Sequence, residues 1–215
     1  MHRRTALSVS AAATLLAAAP LLTACGSDAH PGAAAVVGGQ RIDVSSLQAQ
    51  VADVRTAQQA SPNAEQLIRE TGDLSRQKLH DMIFDRVARK VGEDNGVTVS
   101  RAEVQQARSD FVRQSGGEQQ MATALLQQRG VAPDQIDDVA RRAVLMNKIA
   151  SKLGITNTPE GQKKLTEAFS KASKELKIDV NPRYGSWDDE KIQLGTYTAP
   201  WVRQITKPAA VEAGA

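Results

Sequence analysis

Apolar residues recur at helical spacing along most of this 215-residue chain. Leu79, Ile83 and Val87 lie on one stripe with polar residues between them, the pattern of an amphipathic helix that buries one face. The same pattern repeats along the chain and predicts six helices: Asp43 to about Ala60, Ser75 to Glu93, a third after Ser100, a short fourth with Met121, Leu125 and Leu126 that stops at Gly130, Asp134 to Leu153, and Thr158 to about Leu176.

Local signals mark several of these helix ends. Ser100 and Glu103 have the spacing of a capping box, in which each side chain satisfies a backbone N–H of the first turn. Pro133 fits the first position of the fifth helix, and Thr158-Pro159 fits the start of the sixth. The segment SPNAEQ (residues 61–66) is predicted to be a break between helices.

Two short extended segments lie at opposite ends of this helical run. Val36-Val37 and Arg41-Ile42 flank Gly38-Gly39, the signature of a tight turn between strands. Ile178 to Val180 is the other strand-like segment, and an isolated strand leaves its backbone N–H and C=O groups without partners. The fold predicted is therefore mainly α, with six helices closed by a small pairing of N-terminal and C-terminal strands.

The largest aromatic rings are concentrated near the C-terminus, because both Trp and both Tyr lie at or beyond Tyr184. Residues 182–185 are predicted to turn the chain after the closing strand. Tyr184 and Trp187 are then predicted to cover the junction between the two strands.

The N-terminus has the pattern of an export signal. A basic start, MHRR, precedes the apolar run from Ala6 to Leu22, which is too short for a convincing membrane span. The tetrapeptide LTAC that follows resembles a bacterial lipobox, and this resemblance implies cleavage before Cys25 and its lipidation. An ordinary secretory signal beside an incidental cysteine is the alternative, and Arg3-Arg4 leaves twin-arginine export open.

These boundaries divide the chain into four predicted parts. Residues 1–24 are the signal peptide, 25–35 a flexible tether, 36–194 the helical domain and 195–215 a disordered tail. An acylated Cys25 places the domain on the outer face of the bacterial cytoplasmic membrane, with the lipid bilayer as a partner.

Charge and chemistry exclude several classes of function. Removing Arg3 and Arg4 with the signal leaves 25 basic side chains against 24 acidic ones, so nothing indicates a nucleic-acid partner. The three histidines, His2, His30 and His80, are not clustered with a nucleophile or with metal ligands. We therefore predict no catalytic residues, no metal and no cofactor.

Four segments together resemble the N-terminal domain of SurA-type periplasmic chaperones and PrsA foldases. They are VVGGQRIDVSSLQ, QKLHDMIFDRVARKVGEDNGVTVSRAEVQQA, LLQQRGVAPDQIDDVARRAVLMNKIASKLG and KIDVNPRYGSWD, in that order, covering about Val36 to Asp189. Foldases of this family insert a parvulin prolyl-isomerase domain between the long helix and the closing helix. Here only Gly154 to Thr158 connect them, so the isomerase insert is missing.

The resemblance implies a non-catalytic chaperone, or holdase, whose helical surface binds unfolded or partly folded secreted proteins. Such a surface needs apolar and Met residues beyond those of the core. The candidates for client binding are Met82, Phe84, Phe111, Met121, Leu125, Leu126 and Met146, although burial in the core is the alternative for each. Paired glutamines such as Gln127-Gln128 either receive client backbone or form a plain polar surface. The alternative function is a scaffold or adaptor lipoprotein that binds one specific envelope partner.

Overall fold

The computed structural model describes residues 31–196 of the chain. Within this range seven α-helices, one 3₁₀ turn and five short strands follow one another. In chain order they are β1 Ala33–Val37, β2 Gln40–Asp43, α1 Val44–Gln59, α2 Ala64–Glu70, α3 Leu74–Asp94, α4 Arg101–Ser115, α5 Glu118–Arg129, the 3₁₀ turn Pro133–Gln135, α6 Ile136–Lys152, α7 Pro159–Leu176, β3 Asp179–Val180, β4 Ser186–Asp188 and β5 Gln193–Gly195.

The two ends of the fold meet in one three-stranded sheet, as the sequence predicts. β1 is the central strand and pairs antiparallel with both β2 and β3. Val36 lies opposite Asp179, and Ala35 lies opposite Val180. The β1–β2 turn is Gly38-Gly39, with φ of 59° and 74°, the left-handed values that a two-residue hairpin requires of both central residues.

The first strand begins earlier than its composition indicates. Ala33, Ala34 and Ala35, which the sequence places in the flexible tether, belong to β1 and are no more than 1% exposed. Their small side chains let the strand lie close against the helices, where a larger residue would not fit. The composition of these three alanines is that of a linker, but in the folded chain they form part of a buried strand.

Two further elements were missed by the sequence pattern. The predicted break at residues 61–66 contains the start of α2, which is held by a polar network: Arg55 donates to Gln58 Oε1 at 2.8 Å and to Thr71 Oγ1 at 2.7 Å. Leu67 is the one buried apolar side chain of α2. The hairpin of β4 and β5 was also missed, because each strand is only three residues long.

Helix α3 is the centre of the main core. It packs against α1, α6, α7 and β1, and its inward stripe includes Leu79, Ile83 and Val87, all 0% exposed. Ile42, Leu47, Ile149 and Phe169 complete this core from the surrounding elements. The stripe that predicts the helix is therefore also the one that the other elements cover.

Two of the late aromatic residues, Tyr184 and Trp187, follow β3 in the described part of the chain, and their cover of the strand junction stays a prediction. Tyr184 is 6% exposed, and its backbone N–H donates to Asn181 O at 2.9 Å in the turn before β4. Trp187 donates from Nε1 to the buried Ser173 Oγ on α7 at 2.7 Å. The indole thus anchors the β4–β5 hairpin to the last helix.

The predicted capping box at the start of α4 is present and carries a further ion pair. Ser100 and Glu103 cap each other, and Lys148 on α6 donates to Glu103 Oε1 at 2.6 Å. The Lys148 hydrogen bond, followed by those of Ser100, lowers the pKa of Glu103 from 4.5 to about 2.

This shift makes a pH-dependent contribution to stability. Since the folded-state pKa is depressed, the contribution is fully present above pH 4.5 and is lost as the pH falls through about 2. Glu103→Gln is therefore expected to melt at a slightly lower temperature than the wild type near neutral pH and at the same temperature below pH 2. The effect is small because the pair is solvent-exposed.

Thermal unfolding followed by circular dichroism between pH 1.5 and 7 measures this difference. Glu65→Gln is the control, because its side chain is 92% exposed and pairs only with Arg69 on its own helix. A Glu103→Gln deficit that stays constant down to pH 1.5 would contradict the assignment.

In the described part of the chain, no helix combines the length and the apolar character needed to cross a membrane. The predicted signal peptide, Cys25 and residues 197–215 lie outside the described residues. The predictions for them stay predictions. Gly195, the first residue of the predicted tail, is the last residue of β5.

Candidate functional site

An open groove of about 510 Å³ runs between α3 and α4, with α6 as its floor. Its position follows from the packing, because α6 packs against both α3 and α4 and holds them apart. We call this space the apolar groove. Its apolar lining comes from α3, α4, α6 and the loop after α5 and consists of Phe84, Phe111, Val131, Val139, Ala143 and Met146. Its volume is within the range of small-molecule and peptide-side-chain sites in proteins.

Phe84 occupies the centre of this surface and is half-buried. Its ring stacks on Phe169 of α7 at 5.5 Å between centroids and lies 6.1 Å from the His80 ring. The Arg142 guanidinium lies over the ring, 5.9 Å from its centroid. Phe84 is therefore held in place by three neighbours, while part of it remains exposed to a ligand in the groove.

Charged side chains also line the groove: Asp81 on α3, Arg129 at the end of α5 and Arg142 on α6. Arg142 on α6 contacts both oxygens of Asp85, at 2.5 and 2.9 Å, and Asp81 at 3.4 Å. Burial alone would lower the pKa of Arg142, but the two carboxylates outweigh it and raise that pKa. Burial likewise opposes ionisation of Asp81, but His80, Arg142 and Lys78 together lower its pKa. Arg142 and Asp81 therefore stay charged, whereas burial raises the pKa of Asp85.

A charged pocket of about 260 Å³ adjoins the groove and shares Asp81, Val131, Val139 and Arg142 with it. Lys78, Asp81, Asp85 and Arg89 line it, together with Met82. Lys78 is 4% exposed and donates to Gln135 Oε1 at 2.9 Å, and burial lowers its pKa. Met82, one of the seven client-binding candidates, therefore lies beside this charged pocket and not in the apolar groove.

The structure brings three of the seven candidates together. Phe84, Phe111 and Met146 come from three different helices and line the apolar groove. Gln128, from one of the paired glutamines, lies on the rim with Gln77.

The remaining three candidates, all on α5, pack inward. Met121 is 1% exposed in a small core with Val131 and Ile136, and Leu125 packs against the same core. Leu126 is 8% exposed in another small core beside Leu67. For these residues the structure matches the alternative interpretation, burial in the core, because α5 packs its apolar side chains into these two small cores.

Sequence reasoning missed the charged side chains beside the groove. Asp81 and Asp85 are four residues apart on α3 and so share one helix face, which is a detectable signal. Their partner Arg142 is 57 residues away from Asp85, and no local pattern links the two.

The His80 ring contacts a backbone carbonyl and a neighbouring carboxylate. Its Nε2 lies 3.3 Å from Ile192 O, and its Nδ1 lies 3.6 Å from Asp81 Oδ1. Over residues 31–196, no group of three or more His, Cys, Asp or Glu side chains is arranged to hold a metal ion. The absence of catalytic and metal-binding residues from the chain stays a prediction.

A model of the SurA-like N-terminal domain family matches residues 2–150. The chain belongs to this family. The match therefore covers most of the chain and confirms the recognition made from the four sequence segments. No curated protein and no solved structure matches the chain.

The SurA-like match includes β1 to α5 and ends two residues before the end of α6. Helix α7 and strands β3–β5 follow it. The direct connection between α6 and α7, residues 153–158, contains no inserted domain. Ile155 N donates to Ala150 O at 2.8 Å and Gly154 N to Ser151 O at 3.2 Å, so this connector turns back tightly at the end of α6.

SurA-like N-terminal domains are chaperone-type domains and not catalytic ones. Membership indicates a chaperone-type function that involves binding of unfolded proteins in general.

Proposed function

We propose that this protein is a lipid-anchored, extracytoplasmic chaperone that holds unfolded exported proteins in the apolar groove and has no catalytic activity of its own. The observation that carries the proposal is the convergence of Phe84, Phe111 and Met146 on one open groove of a SurA-like domain. Apolar and Met side chains that remain partly exposed are typical of surfaces that bind many partners.

The chemistry of the groove suits unfolded chains in general. Phe and Met side chains bind apolar segments without demanding one shape, because Met adapts its rotamers to its partner. Gln77 and Gln128 on the rim supply neutral hydrogen-bonding groups for extended backbone. The Arg142 charge is paired with Asp81 and Asp85, and Arg129 adds a further positive group to the lining.

The proposed anchor is close to the domain. Cys25 precedes the first described residue, Pro31, by six positions, which span at most about 20 Å when fully extended. An acylated Cys25 would thus hold the domain near the outer face of the membrane, where exported chains emerge. The lipobox resemblance of LTAC supports this location.

Substituting Met146 tests the groove against an internal control. Met146→Gln is expected to weaken the affinity for an unfolded client at least about tenfold, since burying a methionine side chain is worth about 1.5–3 kcal/mol. Met82→Gln is the matched control: Met82 is also partly buried against the main core but lies by the charged pocket. It is expected to bind clients like the parent chain.

The measurement is the suppression of client aggregation by the mature chain carrying Cys25→Ser, titrated to near-stoichiometric ratio with several unrelated clients. Circular dichroism confirms that each variant is folded. No suppression with any client would overturn the holdase, and equal loss in Met146→Gln and Met82→Gln would overturn the groove as the site.

An adaptor would bind one specific partner, whereas a holdase would bind many. A photo-crosslinking residue at Phe111 in cells is expected to yield a broad set of exported proteins for a holdase. A single dominant partner would support the adaptor instead.

A further inference from the structure

A smaller side pocket of about 180 Å³ opens next to the apolar groove. Phe84 and Met146 line both, and the side pocket is completed by Leu165, Thr166, Phe169, Lys191 and Ile192. Its lining is mostly apolar, and a ligand lying across Phe84 and Met146 would occupy both spaces. The side pocket is therefore an extension of the proposed client site.

The last part of the described chain forms one wall of this pocket. Ile192 has a φ of 52°, a left-handed value that is a genuine outlier for a β-branched residue. Its carbonyl lies 3.3 Å from His80 Nε2, and the next three residues pair with β4 as β5. The strained residue packs its side chain against the main core beside Phe84 and brings the C-terminal segment to the pocket.

The sequence that follows can reach back to the same pocket. Thr196 is four residues beyond Ile192, at most about 14 Å along the chain, and Trp201 is five residues further, at most about 17 Å. The segment TYTAPWVRQI, residues 196–205, combines Tyr197, Trp201 and Ile205 with a single charge. Pro200 favours an extended backbone at the residue before it, the form in which an unfolded client would bind.

We propose that residues 197–205 are an internal pseudo-client: Trp201 docks in the side pocket against Phe84, Met146 and Leu165 and competes with clients for the apolar groove. The competition rests on the proposed function, but the docking does not. A tethered segment acts at an effective concentration of about 1 mM. With an intrinsic dissociation constant of about 0.1–0.5 mM, it lowers the apparent affinity for clients about three- to tenfold.

The docking is measured without any client. In the mature chain with Cys25→Ser and Trp187→Phe, Trp201 is the only tryptophan. It is expected to emit at a shorter wavelength and to be quenched by acrylamide several-fold more slowly than in a free peptide of residues 197–205. Equal quenching in the protein and the peptide would overturn the docking.

Two leucines of α7 provide a matched pair. Leu165→Gln alters the side pocket and is expected to raise the quenching of Trp201 towards that of the peptide. Leu176→Gln changes the same residue type, also partly buried against the main core, at the other end of the helix near Gly38. It is expected to leave the quenching unchanged, and equal effects of the two variants would overturn the assignment to the side pocket.

A second measurement avoids the Trp187 substitution. The chain with both tryptophans, labelled with 5-fluorotryptophan, gives two ¹⁹F signals, which Trp201→Ala assigns. The Trp201 signal is expected to show a small solvent-isotope shift, and a shift equal to that of the free peptide would count against docking. Protection that disappears on hundredfold dilution would mean docking into a second copy and would also overturn the proposal.

The competition is measured with an unfolded client. Trp201→Ala is expected to raise the client affinity three- to tenfold, while Val211→Ala, further along the tail, is expected to leave it unchanged. Unchanged affinity in Trp201→Ala would overturn the competition. A protected Trp201 in a chain that binds no client would refute the holdase and leave docking established, and client binding with an unprotected Trp201 would refute docking alone.

Discussion

Replacing Ala35 by aspartate is expected to lower the free energy of unfolding by about 3–5 kcal/mol, the cost of burying a charge without a partner. Ala35 is 0% exposed in the central strand, between Ile42 of β2 and Val180 of β3. The stability of a typical domain is about 5–15 kcal/mol, so the variant is expected to unfold at a much lower urea concentration than the wild type.

Urea unfolding followed by circular dichroism measures this loss. Ala52→Asp is the matched control, because Ala52 is exposed on α1 and the same substitution there costs only the lower helix propensity of aspartate, about 0.5–0.7 kcal/mol. If Ala35→Asp had the same unfolding midpoint as Ala52→Asp, residues 33–35 would be a tether, as their composition alone indicates, and the closed sheet would be wrong.

Substituting Cys25 is expected to abolish acylation entirely. Each buried CH₂ of an acyl chain contributes about 0.8 kcal/mol to membrane binding, so several chains hold a protein firmly while none leaves only weak contact. The wild-type protein is expected to incorporate an alkyne fatty acid during growth and to partition into the detergent phase of a phase-separating surfactant. Cys25→Ser is expected to incorporate none.

The neighbouring Ser27→Ala variant is the control and is expected to be acylated like the wild type. Mass spectrometry of the N-terminal peptide locates the modification. An unlabelled wild-type protein, or a mature N-terminus beyond Cys25, would support the ordinary secretory signal instead and would remove the membrane from the proposed function.

The elements that sequence predicts well are those whose determinants are local. The α3 stripe of Leu79, Ile83 and Val87 identifies its helix, because helical period and burial coincide there. The Ser100–Glu103 capping box is satisfied by groups three residues apart. The Gly38-Gly39 turn needs positive φ at both positions, which glycine adopts at little cost.

The elements that it predicts poorly depend on distant partners. Helix α2 is held by Arg55 and Thr71, which lie before and after it and are 16 residues apart. The strand at Ala33 to Ala35 is identified only by the sheet and the helices around it, because alanine favours neither a strand nor a loop strongly enough to decide. The β4–β5 hairpin likewise has distant partners, because Trp187 donates to Ser173 of α7 and Ile192 O lies beside His80 of α3.

The candidate site divides in the same way. Local spacing identifies Phe84, Met121 and Leu126 alike as apolar residues that need a partner surface. Only the packing of α5 buries Met121 and Leu126, while α6 packs between α3 and α4 and leaves Phe84 half-buried at a groove. Arg142 and its two carboxylates also meet only in the folded chain.

The sequence by itself therefore determined the helical class, the pairing of the two chain ends and the family, since periodicity, caps and turn residues act within a few positions. The tertiary structure alone decided which apolar residues are core and which line the groove. The reason is physical: a helix face records how much apolar surface must be covered, but not which neighbour covers it, and that choice is made by contacts between residues far apart in the chain.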